Sequence, residues 1–80
     1  MSSTQPDVLT LGVRQALLSP KEREVFHLLG QGMSCKEIAG SLGKSVKTVD
    51  AQCQAIKNKM GLRDMRAVVV AAVRMSAVKR

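Results

Sequence analysis

The stretch SCKEIAGSLGKSVKTVDAQCQAIKNKMG, residues 34–61, decides the fold. It opens on Ser34 with Glu37 three residues later, so each side chain can satisfy an unpaired backbone N–H at a helix start. Ile38, Ala39 and Leu42 then share one face of a short helix, Cys35 to about Leu42, and Gly43 ends it. Ser45 can cap a longer helix in which Val46, Val49, Cys53, Ile56 and Met60 recur at spacings of three and four. That is a narrow apolar stripe on an otherwise polar helix, terminated at Gly61. A short helix, a tight turn containing glycine and a second helix describe a helix-turn-helix. Ala39 is small where the second helix crosses close to the first, Gly43 permits the chain reversal, and Val49 anchors the second helix. An ordinary helical hairpin is the plainer reading of the same pattern.

Upstream, SPKE at 19–22 is another capping box, with proline at the first helical position. Val25, Phe26, Leu28 and Leu29 follow at helical spacing, and Gly30 and Gly32 are expected to stop that helix. Residues 1–10 are polar and contain Pro6; residues 11–18, LGVRQALL, read as a short helical turn or docking arm. The expected division is therefore 1–18, flexible tail or short docking arm, and 19–80, the folded domain. Downstream, Asp64 can cap a helix running to about Val78 that is apolar on almost every side between Ala67 and Val73. Such a helix is buried or shared with a partner, and a chain of 80 residues buries only a modest core, so a partner is favoured. Period-two alternation and hairpin dipeptides are absent. The fold class is all-α: a four-helix bundle containing a helix-turn-helix.

Composition narrows the function. The net charge is +7, from 13 lysines and arginines against 6 acidic residues, which suits a polyanionic partner such as nucleic acid. Phe26 is the only aromatic residue, so a base-stacking platform for single strands is not expected. His27 stands alone on an outer helix face. Cys35 and Cys53 lie 18 apart without metal-ligand spacing, so no metal is expected and buried, reduced thiols are the favoured reading. A disulfide between them needs their Cα atoms within roughly 7 Å. Met60, Met65 and Met75 suit core or interface gaps. No nucleophile–base pair, paired carboxylates or phosphate-cradling loop is visible, so neither an enzyme nor a cofactor is expected. The N-terminus lacks a secretion signal, and AVVVAAV at 67–73 is too short to span a membrane, which suits a cytoplasmic protein.

Residues 18–62 resemble the DNA-binding domain of LuxR/GerE-type regulators, also found in NarL/FixJ response regulators. The shared letters are Leu18, Ser19, Glu22, Glu24 and Val25; then Gln31, Gly32, Ser34, Lys36, Glu37, Ile38 and Ala39; then Lys47, Thr48, Val49, Ile56, Lys59 and Gly61. The resemblance implies a bacterial transcriptional regulator that binds double-stranded DNA as a homodimer, with helix 45–60 in the major groove and RNA polymerase as a further partner. It implies phosphate contacts for Lys36, Lys47, Thr48 and Lys57, and base-edge contacts at positions 50, 51 and 54. Lys44, Ser45 and Asn58 complete the expected DNA surface, and Val69, Val70, Val73 and Ala77 the expected dimer interface. From the helical period alone, Lys47, Asp50, Ala51, Gln54, Lys57 and Asn58 lie opposite the Val49, Cys53 and Ile56 stripe.

Two letters depart from the family. Lysine or arginine is usual at position 50 and histidine at 52; here they are Asp50 and Gln52. An anion at 50 repels phosphate yet can accept a hydrogen bond from cytosine N4, Ala51 can touch a thymine methyl, and glutamine can pair with adenine. Asp50 also suits the positive end of the helix as a solvated residue. Two rival functions stand beside the regulator: an interaction module that antagonises a related regulator, and a sigma-factor-like promoter-recognition domain. Met1 and the residues before Ser19 favour a stand-alone protein over a fragment of a larger regulator.

Overall fold

The computed structural model describes residues 7–78. Five helices succeed one another: α1 (Val8–Gln15), α2 (Pro20–Gly30), α3 (Cys35–Leu42), α4 (Val46–Lys59) and α5 (Met65–Val78). The fold is all-α, and α1 is an addition to the four helices expected from sequence. It begins at Val8 because the Asp7 side chain accepts a hydrogen bond from the Thr10 amide at 2.8 Å. Leu11 and Leu18 are fully or almost fully buried and join the core, while Val13 and Leu17 between them stay 67% and 62% exposed. The polar residues 1–6 lie outside the described part.

The expected caps are present. Ser19 and Glu22 exchange hydrogen bonds with each other's backbone at the start of α2, and Ser34 and Glu37 do the same for α3. Ser45 Oγ accepts from the Thr48 amide at 3.1 Å, and Asp64 Oδ1 from the Ala67 amide at 2.8 Å. An N-cap of this kind contributes about 1 kcal/mol, so the local sequence sets each helix start before packing acts. Gly43 ends α3 in the left-handed conformation, φ 67°.

α2 ends at Gly30 as the sequence reading has it, but the left-handed turn is made at Gly32, φ 90°, and not at Gly30. Gly30 serves close packing instead. A Cβ there would sit 2.6 Å from the Ala72 carbonyl oxygen on α5. The core joins Val25, Phe26 and Leu29 of α2, Ile38 and Ala39 of α3, Val49, Cys53, Ile56 and Met60 of α4, and Val68, Ala71 and Ala72 of α5. Polar links also hold α4 to its neighbours. Lys59 Nζ donates to Glu22 Oε1 at 2.8 Å, holding the Glu22 carboxyl below its usual range together with the Ser19 amide. Arg14 donates from α1 to the Met60 carbonyl oxygen at 2.8 Å, where a helix end carries unpaired acceptors.

Candidate nucleic-acid interface

The second helix of the motif, α4, divides into two faces. Val49, Cys53, Ile56 and Met60 are essentially inaccessible to solvent. Lys47, Thr48, Asp50, Ala51, Gln54 and Asn58 are exposed, and Lys57 is half-buried. The exposed residues recur at helical spacing, so they form one strip along α4. At its N-terminal end the strip starts from Ser45, which is exposed, and Lys44, which is half-buried and whose backbone N–H donates to the Ala39 carbonyl at 2.9 Å. Lys36 is exposed on the first turn of α3.

Two hydroxyls on this strip are already oriented. Ser45 Oγ donates to Thr48 Oγ1 at 2.9 Å while accepting from the Thr48 amide. Thr48 therefore keeps its own O–H as a donor directed away from the cap. Asp50 is the one acidic residue of α4. Gln52 stands off the strip, half-buried, and its Oε1 is buried without a donor among the described residues. Lys59 also stands apart, because it is occupied by Glu22.

Val46 departs from the sequence reading. Its spacing puts it on the apolar stripe, yet it is 42% exposed. It is the first residue of α4, where the helix has not yet reached the core. It lies one helical turn before Asp50, on the solvent side, so an apolar group joins the polar strip that sequence spacing alone did not assign there.

The cysteines meet across the motif: Cys35 Sγ and Cys53 Sγ are 3.6 Å apart, both as free thiols. Burial pushes the Cys53 thiol up to about 12, with the Cys35 thiol and the Asp50 charge adding in the same direction. His27 is exposed, its Nε2 3.0 Å from Gln31 Nε2. Among the described residues no group of three histidines, cysteines or acids could hold a metal ion, and no helix is long and apolar enough to cross a membrane.

On α5, Val68, Ala71 and Ala72 face the core, while Val69, Val70 and Val73 are 37%, 41% and 47% exposed and Ala77 is exposed too. Val69, Val73 and Ala77 follow one another at intervals of four along one side.

A helix-turn-helix with a basic-edged polar strip agrees with the comparisons to known proteins. The family model for bacterial regulatory proteins of the luxR family matches residues 16–72. The chain belongs to this family. It is therefore a LuxR-type helix-turn-helix domain, of a family of DNA-binding transcription regulators rather than of enzymes. It is 40% identical over 63 residues to the spore germination protein GerE of Bacillus subtilis (strain 168), covering 79% of this chain and 85% of that protein. It is also 40% identical over 47 residues to the transcriptional regulatory protein RcsB of Escherichia coli (strain K12) and of Salmonella typhimurium, covering 59% of this chain. The chain spans only 22% of the length of RcsB. No solved structure matches the chain.

Proposed function

We propose that this domain reads operator DNA as a homodimer, with α4 in the major groove and α5 joining the two copies. The observation that carries the reading is the exposed strip of α4 set on a buried helix-turn-helix. The major groove of B-DNA is about 12 Å wide and admits an α-helix. Lys36, Lys47 and Lys57 then neutralise phosphates and Thr48 donates its hydroxyl proton to one, which fixes register without reading sequence. Lys44, Ser45 and Asn58 border the same surface. Asp50, Ala51 and Gln54 meet base edges, and Val46 adds apolar contact suited to a thymine methyl. RNA polymerase as a further partner and a cytoplasmic location belong to the same proposal.

The dimer part rests on α5. Val69, Val70 and Val73 expose adjacent apolar surface, which on a small domain marks a partner site. Two copies related by a two-fold axis bring two copies of α4 to successive half-sites.

The test is selection of bound duplexes from a random DNA library, with affinity then followed as salt is raised. Enrichment of a two-fold symmetric site and a steep loss of affinity with salt are expected, because bound phosphates release condensed counterions. Absence of binding to every library member at low salt would overturn the regulator reading in favour of the interaction module.

A further inference from the structure

Cys35 is the first residue of α3 and Cys53 lies in the middle of α4, so their sulfurs meet where the two motif helices pack. We propose that this pair is an oxidation site, at which the two thiols close to an intramolecular disulfide that ties α3 to α4. The sulfurs stand 3.6 Å apart in the reduced protein. A disulfide bond is about 2.0 Å long. Bond formation needs the sulfurs to approach by rotation about the side-chain torsions and a shift of the first turn of α3. That turn is held by the Ser34 cap and has no preceding helical turn to restrain it.

The two thiols are unequal, and this orders the chemistry. Cys53 is 1% exposed and its thiol is pushed up to about 12 chiefly by burial, so it reacts second and gives up its proton only as it attacks. Cys35 is only partly buried and can meet a small oxidant. With hydrogen peroxide as the oxidant, the Cys35 sulfur attacks one peroxide oxygen and the O–O bond breaks. The hydroxide released takes up the thiol proton as water, and Cys35 becomes a sulfenic acid. The Cys53 sulfur then attacks the Cys35 sulfur, the S–S bond forms and the S–O bond breaks. The departing hydroxyl leaves as a second water with the Cys53 proton. Two thiols lose two electrons and two protons, and one peroxide is reduced to two waters. Resolution by a thiol already in contact protects Cys35 from further oxidation.

The cross-link encloses the whole turn between the helices, including Gly43 and the Ser45 cap. Lys36 follows Cys35 directly, so the bond also fixes the start of α3 against α4. Closing this loop restricts the unfolded chain, and the oxidised domain resists heat better.

The experiment treats the reduced full chain, dilute and free of thiol reagents, with an equivalent of hydrogen peroxide. Intact mass is expected to fall by two hydrogens without dimer. Trypsin cleaves after Lys36, Lys44 and Lys47, so the Cys35 and Cys53 peptides remain joined only through the disulfide. The melting midpoint is expected to rise by about 10 °C, reversibly with dithiothreitol. Cys53→Val keeps an apolar side chain in the buried site and should leave Cys35 to gain oxygen instead. Cys35→Ala should leave Cys53 unoxidised, and it decides the matter if Cys53→Val does not fold. Oxygen adducts on Cys35 of the parent, a disulfide-linked dimer, or a disulfide that lowers the melting midpoint would overturn the proposal.

Discussion

Asp50 is an anion on a surface otherwise bordered by Lys36, Lys44, Lys47 and Lys57. In a DNA-reading helix it opposes phosphate and accepts a hydrogen bond from cytosine N4. Asp50→Lys is expected to raise affinity for unrelated duplexes and to lose preference at one base pair of each half-site. Binding to the selected site and its single-base variants measures both, and the lost discrimination should be about 1–3 kcal/mol. An unchanged preference profile would leave Asp50 a solvated residue near a helix N-terminus. Two glycines give a second test at this scale. Gly40 lies inside α3 with no atom within 4 Å of an added Cβ, so Gly40→Ala should stabilise the domain by about 0.5–1 kcal/mol through helix propensity. Gly30→Ala offers the same propensity gain but drives its Cβ to 2.6 Å from backbone oxygen of Ala72. The clash wins, and a loss of about 1–3 kcal/mol is expected in denaturant unfolding. A gain at both positions would mean that α2 and α5 separate more easily than their packing implies.

The helices were legible in sequence wherever their causes are local. Ser19 with Glu22, Ser34 with Glu37, Ser45 and Asp64 each act within one turn, so their positions foretold four helix starts. The polar side of α4 followed from the same short-range period. What depends on packing between helices was not legible. Leu11 becomes core only because α1 meets the rest of the fold, and Arg14 reaches the Met60 carbonyl 46 residues away. Val46 fits the stripe by spacing but precedes the point where α4 enters the core. The contact of Cys35 with Cys53 depends on how α3 crosses α4, which spacing does not fix. On α5, apolar letters all round do not themselves tell which side is buried; the expected dimer residues Val69, Val70 and Val73 lie outside, and Val68, Ala71 and Ala72 take the core. Val70→Lys or Val73→Lys is therefore expected to leave a folded monomer. Sedimentation with circular dichroism checks it, and a parent that is monomeric even at high concentration would contradict the α5 interface.

For the whole molecule, the net charge of +7 and the single strip on α4 lead to one consequence. On the proposed reading, attraction to the duplex comes from phosphate contacts at the edges of the strip, and choice of sequence from its middle. Lys47 and Lys57 belong to the edges, and neither contributes to the buried core. The most direct measurement is the salt dependence of binding for the parent, Lys47→Ala and Lys57→Ala, on the selected site and on unrelated duplex. The expected result is weaker binding to both DNAs alike, with the slope of log affinity against log salt reduced by about 1 for each lysine removed from a contact. An altered sequence preference with affinity for unrelated duplex untouched would contradict the assignment of Lys47 and Lys57 to phosphates, and no change of affinity or slope on either DNA would contradict the placement of α4 in the groove.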